Sequence, residues 1–399
     1  MDRKQKTKPT NNPLFASIPV DSAKVLLDFD SVVQGVRPLS SKQYQMLPKD
    51  IRNLFHLLTD ERGERRCGYM NETAALSAYV RYYQWWNLVR LTRLFSGLAK
   101  DVLHVPQDGI CLDMGSGPLT VPIALWLACP HLRKKKLTWY CLDTSQAALS
   151  LGEDLFLSVA ARTAQVEGVT VEPWKIIRIK GDIGTPLRNK VDFAVCANVL
   201  NEVVQSSGRP PEYTAKKTIE ALEKYAKEGS CVLVVEPGTP PSVRFLSSFR
   251  EALTRKGWDL LSPCPHSEGC PMDGKRGGKW CHFVFSAQDK DIPPKLKKLS
   301  ELAGLSKDRA ALSFILARYG KTNFSEKCNA RDLSVRIASD AIRLPGGRTG
   351  YYGCSKLGLT LLASSQEGFS LGSGELVRIK MPPVLVTDKK SGAVLIELR

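Results

Sequence analysis

The sequence predicts an α/β protein in which a parallel sheet carries helices on both faces, flanked by a helical segment before it and a basic segment after it. Three observations predict it. From residue 108 short apolar runs alternate with amphipathic ones, the rhythm of strand, turn and helix that builds a parallel sheet. Upstream, over about 20–104, apolar residues recur at three- and four-residue spacing. Downstream of QDKDIPPKLKKL (288–299) the chain turns basic, with a helix expected around 307–318 and strands in GELVRIKM and AVLIELR.

Taken in order, residues 1–15 read as a disordered tail and 16–105 as a helical domain ending in NETAALSAYVRYYQWWNLVRLTRLF. There Leu76, Tyr79, Val80, Tyr83, Trp86 and Val89 form one apolar stripe, expected to be core rather than a ligand platform. Asn71, Glu72 and Thr73 mark its helix start. Residues 106–288 form the sheet domain. GICLDMG (109–115), KLTWYCLD (136–143), WKIIRIKGD (174–182), VDFAVCAN (191–198) and SCVLVVEPG (230–238) are five strands, and 118–128 and 145–165 are helices. WDLLSPC (258–264) and WCHFVFSA (280–287) read as a closing strand pair. Residues 289–399 form a basic C-terminal domain.

Composition narrows the class. The 399 residues carry a formal net charge of +17, and the excess recurs along the chain. Residues 311–399 alone hold 13 Lys and Arg against 7 Asp and Glu, which suits contact with a phosphate backbone over a broad face. No apolar run is long enough for a membrane helix, and MDRKQKTKPTNNPLF has no secretory signal pattern. A cytoplasmic location is expected, with the mitochondrial matrix as the alternative. Eleven cysteines without an export signal argue against a disulfide framework. Cys111, Cys141, Cys196 and Cys231 lie in strand-like runs and read as small core residues, whereas Cys67, Cys129 and Cys328 are scattered.

ICLDMGSGPLT (110–120) is a strand, an acid (Asp113) and a glycine turn into a helix. Gly115 and Gly117 let a ligand approach the backbone, and the helix start offers free N–H groups. Asp143 ends the second strand, where a carboxylate accepts ribose hydroxyls, and Asp182 ends the third, where an adenine amino group would lie. The pattern D-x-G-x-G followed by D-x-S-x-x-A-L resembles the class I S-adenosylmethionine-dependent methyltransferases more than nicotinamide binders. The resemblance implies their Rossmann-like fold, with Gly115 and Gly117 under the methionine portion of the cofactor. Leu119 departs from it, standing where many members carry another glycine. After the fourth strand, ANVLNEV lacks the Asn/Asp-Pro-Pro-aromatic tetrad of amine methyltransferases, and Cys196 is no cytosine-type nucleophile. Asn198, Asn201 and Glu202 line the expected pocket, bind substrate or cap the next helix, so the catalytic residues stay unassigned.

SPCPHSEGCPMDGKRGGKWCHF (262–283) holds Cys264, Cys270 and Cys281 in a loop rich in Gly and Pro, which needs something to fold around. Three thiolates leave a tetrahedral zinc or a cubane iron–sulfur cluster one ligand short. Zinc would take His266 or His282, and a cluster would take a fourth cysteine, for which Cys354 in GGRTGYYGCSKLG is the candidate. The spacing matches no common zinc finger, which favours the cluster, and it is not the tight triplet of radical enzymes. Together, VLNEV, EPGTP, CPH…CP…WCHF and AIRLPGGRTGYYGC resemble the methyltransferase-like assembly factors of the small ribosomal subunit, found in bacteria and mitochondria. That resemblance implies a 4Fe–4S cluster on Cys264, Cys270, Cys281 and Cys354, with His266 and His282 outside the ligand set. It also implies binding to the maturing small subunit through its rRNA, as a monomer off the ribosome. Methyl transfer is open on this resemblance, an active rRNA methyltransferase being the alternative reading.

Overall fold

A computed structural model describes residues 13–59, 68–98, 103, 105–168, 171–275, 277–320 and 332–398. Cys67, Cys328 and most of the expected N-terminal tail lie outside them. The helical segment comprises α1 (Val20–Leu27), α2 (Phe29–Val36), α3 (Ser41–Thr59), α4 (Thr73–Ala78) and α5 (Gln84–Gly97). Between α4 and α5 a π-helical turn, Tyr79–Tyr83, inserts an extra residue into the ladder. The stripe there is core as expected: Leu76, Val80, Trp86 and Val89 are buried, and so are Tyr82 and Trp85 on the neighbouring face. The helix starts at Thr73, as expected, but no side chain caps it, and Asn71 instead accepts the Ser145 hydroxyl at 2.8 Å.

The first sheet is built from β1 (Ile110–Met114), β2 (Thr138–Asp143), β3 (Lys175–Lys180), β4 (Val191–Ala197), β5 (Ala226–Glu236), β6 (Asp259–Ser262), β7 (Phe283–Ser286) and β8 (Arg309–Arg318). Its order is β3-β2-β1-β4-β5-β8-β6, with β7 also paired to β8. The pairs from β3 to β5 are parallel, and every pair made by β8 is antiparallel. The connecting helices are α6 (Thr120–Ala128), α7 (Pro130–Arg133), α8 (Gln146–Glu167), α9 (Leu200–Ser207), α10 (Pro211–Tyr225), α11 (Pro240–Arg255) and α12 (Pro294–Ala303). Two apolar cores separate by strand parity: Cys111 packs on one face and Leu112 and Met114 on the other.

Four expectations are corrected. The segment 307–318 is no helix but the reversed strand β8, inserted between β5 and β6. Its run AALSFILA is rich in the helix formers Ala and Leu, and it is buried on both faces and so lacks the alternation that marks a strand. The segments 258–264 and 280–287 are therefore not a pair. β6 meets β8 at Leu316–Arg318 and β7 meets it at Arg309–Leu312. The boundary at 288/289 falls inside this sheet. Finally, Leu14 is buried and Phe15 meets Phe285 edge-on at 5.0 Å, so the end of the supposed tail is core.

The second sheet has β9 (Asp332–Ile337), β10 (Ile342–Arg343), β11 (Thr349–Ser355), β12 (Gly358–Ser364), β13 (Leu376–Lys380), β14 (Val386–Thr387) and β15 (Val394–Leu398). Its order is β13-β9-β11-β12-β15-β14, with β10 on β11, around a small core of its own. No helix among the described residues is long and apolar enough to cross a membrane.

Candidate cofactor crevice and cysteine centre

In the first sheet the strand order reverses between β1 and β4, and ligands of open α/β sheets bind where this happens, beyond the carboxyl ends of the strands. Gly115 and Ser116 follow β1 and both donate their N–H to the Leu142 carbonyl, at 2.8 and 3.0 Å. Gly115 has φ +72°, and a Cβ there would meet Val199 Cγ2 at 2.3 Å, so only glycine fits. Gly117, at φ +49°, would meet nothing nearer than Met70 at 3.8 Å. Leu119 holds a left-handed φ of 54° as it enters α6. Its side chain is accommodated because α8 has Gly152 opposite, where a Cβ would lie 2.6 Å from Leu119 Cδ1. The departure at Leu119 is thus matched by a second glycine on the facing helix.

Asp143 accepts the Gly117 and Ser145 N–H groups, each at 2.8 Å. Burial raises its pKa and these bonds oppose the rise. Asp182 is exposed, and its carbonyl turns the chain by accepting Thr185 N–H and Oγ1 at 3.0 and 2.7 Å. Asn198, at φ 60°, donates its N–H to the Val235 carbonyl at 2.8 Å. Asp113 is only 1% exposed. Among the described residues neither of its carboxylate oxygens has a hydrogen-bond partner, and the neighbouring Ser116 hydroxyl donates to the Asp113 carbonyl instead. Burial pushes this carboxyl up to about 8, so it is held neutral at physiological pH.

Sequence reasoning missed Glu236. It closes β5 fully buried and accepts the Leu200 and Asn201 N–H groups at 2.9 and 3.3 Å, which fixes the turn after β4. Burial raises it too to about 8. Its signal was an acid ending the apolar run VLVVE. Also missed was the contact that the helical segment makes with the glycine turn. Met70 faces Gly117, Gln84 Nε2 donates to the Pro118 carbonyl at 2.8 Å, and Asn87 donates to the Tyr79 hydroxyl at 3.0 Å.

The four cysteines singled out in the sequence come together. Each of the six pairs among Cys264, Cys270, Cys281 and Cys354 is close enough to interact electrostatically. Cys264 follows β6, and Cys281 precedes β7, donating its N–H to the Met272 carbonyl at 3.0 Å and accepting the Ser313 hydroxyl at 2.7 Å. Cys354 arrives from β11 in the second sheet, paired in register with Arg336. Burial first, and then the neighbouring cysteines, push the Cys281 and Cys354 thiols up. His266 Nε2 lies 2.9 Å from Cys354 Sγ, and burial holds this imidazole down at about 4. His282 is elsewhere, stacked on Trp280 with its Cβ side against Gly238. Two arginines border the group. Arg250 of α11 donates from Nε to Cys264 Sγ at 3.2 Å, and Arg336 donates from Nε to the Pro263 carbonyl at 2.9 Å. Among the described residues no three metal-ligating side chains are gathered round a point suited to one ion.

A sheet of this order, with one reversed strand next to its last and a glycine turn at its switch point, has the class I methyltransferase fold. A family model described as mitochondrial small ribosomal subunit Rsm22 matches residues 78–301, more than half of the chain, and the chain belongs to that family. No curated protein matches the sequence. Among solved structures the chain is similar to magnesium protoporphyrin IX methyltransferase from Synechocystis PCC 6803 with bound SAM, at 11% identity, covering 76% of this chain and 100% of that one, TM-score 0.34. It is also similar to precorrin-6y C5,15-methyltransferase from Geobacter metallireducens GS-15, at 12% identity over 58% and 88% of the two chains, TM-score 0.33. A third is the ribosomal protein L11 methylase from Lactobacillus delbrueckii subsp. bulgaricus, at 12% identity over 59% and 79%, TM-score 0.31. Scores this low add nothing to what the strand order says.

Proposed function

We propose that this protein is an assembly or translation factor of the small ribosomal subunit that binds rRNA, S-adenosylmethionine and a 4Fe–4S cluster. The observation that carries the reading is the family match over 78–301, whose description names the mitochondrial small ribosomal subunit. It favours the mitochondrial matrix over the cytoplasm as the place of action. The net charge of +17 supports contact with rRNA.

S-adenosylmethionine fits the crevice by charge and by space. Among the described residues the buried carboxyl of Asp113 has no hydrogen-bond partner, and a cationic ligand would complete it. Gly115 and Gly117 would leave backbone free to approach the methionine portion, Asp143 would turn its carboxylate from backbone N–H groups to the ribose, and Asp182 would stand by the adenine. Asn198 would border the cofactor from the end of β4. The cofactor supplies an electrophilic methyl group when bound. The chain's part is to hold it and shield it, with Glu236 fixing the turn beside it and Met70 standing over Gly117. No group aimed at a methyl acceptor is assigned, so the reading is of a binding protein first.

The donor set also fits an iron–sulfur cluster: four free cysteines converge, three from one loop and one from the second sheet. A cluster there would tie Cys354 and its sheet to the loop, a structural role that needs no catalysis. The test is purification without oxygen, iron and sulfide analysis, and co-sedimentation with small subunits. About four irons per chain, a broad band near ~400 nm and co-sedimentation lost in Cys264→Ser are expected. Colourless protein with zinc, or Cys264→Ser protein that still co-sediments, overturns the cluster reading. Methyl transfer to small-subunit rRNA that Asp143→Ala abolishes would make the protein an active methyltransferase instead.

A further inference from the structure

The cysteine centre carries two arginines whose presence the ligand set alone does not explain. Arg250 is 3% exposed on α11 and donates twice into the loop, from Nε to Cys264 Sγ at 3.2 Å and from Nη2 to the His266 carbonyl at 2.8 Å. Arg336 is half-buried between the two sheets, donating to the Pro263 carbonyl at 2.9 Å and to the Gly374 carbonyl at 2.7 Å. It stands opposite Cys354 in the β9–β11 ladder. Both guanidiniums are near enough to act electrostatically on Cys354, and Arg336 on Cys281 as well. Two cations beside four sulfurs, one buried and one half-buried, without a carboxylate bound to either guanidinium among the described residues, are a costly arrangement unless the sulfurs carry charge.

We propose that Arg250 and Arg336 are the counter-charges of a dianionic tetrathiolate centre on Cys264, Cys270, Cys281 and Cys354. The proposal rests on the reading of these four cysteines as one ligand set. A zinc ion and an oxidised cubane cluster core each bring two positive charges, so four thiolates leave either one dianionic. Two guanidiniums then balance the site. With His266 replacing one thiolate, the centre would hold a single negative charge and one guanidinium would be left over. The charge count therefore selects four sulfurs and leaves His266 as a neighbour of Cys354, its Nε2 2.9 Å from the sulfur. The Arg250 bond to Cys264 Sγ becomes charge-assisted when that sulfur is a thiolate, which strengthens it.

The experiment uses the full chain purified without oxygen, with iron, sulfide and zinc counted per chain and metal release to a chelator followed in time. The variants are Arg250→Gln, Arg336→Gln, Arg250→Lys, Arg336→Lys and, as a control, Arg255→Gln, an exposed residue paired with Glu251. The glutamine variants should lose metal about tenfold faster or more, the usual effect of removing a partner of the ligands. The lysine variants, which keep the charge but not the fork of hydrogen bonds, should release metal at rates nearer wild type than glutamine. Arg255→Gln should match wild type. Glutamine variants that retain metal like wild type overturn the proposal. So do lysine variants that release it as fast as glutamine, since the role would then be hydrogen-bond geometry alone. Where a glutamine variant does not fold, the lysine variant is read against wild type and Arg255→Gln: release within a few-fold of wild type supports the proposal and release about tenfold faster or more overturns it. Wild-type protein that holds no metal, or Cys354→Ser protein that keeps its full complement, sinks the ligand-set reading itself and with it the charge count. Iron with sulfide, or zinc alone, tells which dianionic centre is present.

Discussion

Asp113 shows how much a single buried group decides. With no partner for either oxygen it is neutral in the ligand-free protein, its pKa raised to about 8 by burial. Glu236, raised to the same region, adds to the effect. Both pKa values lie above those of the unfolded chain, about 4. Their contribution to stability is therefore full below that value and is lost as pH rises through about 8. Ligand-free protein should melt at lower temperature at pH 8.5 than at pH 5.5 by this term (~ values bracketing the two ionisations), and Asp113→Asn should flatten the slope. A cation bound beside Asp113 would ionise it. Calorimetry in two buffers near neutral pH should then show release of up to about one proton per S-adenosylmethionine bound, absent in Asp113→Asn. Binding without proton linkage would separate Asp113 from the cofactor. At Gly115 the limit is steric. Gly115→Ala places a methyl 2.3 Å from Val199 at a positive φ, and should cost about 1–3 kcal/mol and weaken the cofactor at least about tenfold. Unchanged melting and affinity would mean that the turn yields freely. The glycines and carboxylates of this turn were legible because their spacing is short-range. Glu236 was not, because a buried acid is recognised only by the N–H groups that another segment brings to it.

At the scale of elements, β8 decides where the sheet domain ends. It lies between β5 and β6 and pairs with β5 from Cys231 to Glu236. A fragment of residues 13–288 would leave that edge of β5 bare and should aggregate or melt without cooperativity. A fragment of 13–320 should melt cooperatively, checked by circular dichroism and sedimentation. Equal behaviour of the two fragments would restore the boundary at 288/289. The five parallel strands could be read from sequence because each is a short apolar run closed by a turn. β8 could not be, since a strand buried on both faces and rich in Ala and Leu carries the same local pattern as a buried helix. Only its pairing partners tell them apart.

At the scale of the whole molecule, the two sheets meet where the cysteines gather. Arg336 reaches from β9 to the Pro263 carbonyl, Lys279 Nζ lies 3.8 Å from the centre of the Tyr352 ring, and His266 meets Cys354. If a metal centre joins them, Cys354→Ser should speed amide exchange in β9, β11 and β12 while the first sheet stays protected. Equal protection in wild type and variant would show that side-chain contacts suffice to dock the second sheet. The net charge of +17 belongs to this scale as well. Binding to small subunits should fall steeply with added salt, the logarithm of affinity declining in proportion to the number of phosphates contacted. A salt-insensitive affinity would point to protein contacts instead.

The sequence by itself determined the α/β class, the glycine turn with its carboxylates, and the four cysteines, because each is carried by short-range spacing or by rare residue types. It singled out Cys354 as a candidate by counting ligands and by the resemblance carried by AIRLPGGRTGYYGC. The tertiary structure decided that Cys354 enters from a separate sheet, that His266 and not His282 stands beside it, and that two arginines flank the group. It also placed β8 and Glu236. These all depend on contacts between segments distant in sequence, formed when apolar faces are buried together, and no local pattern records which segments will meet.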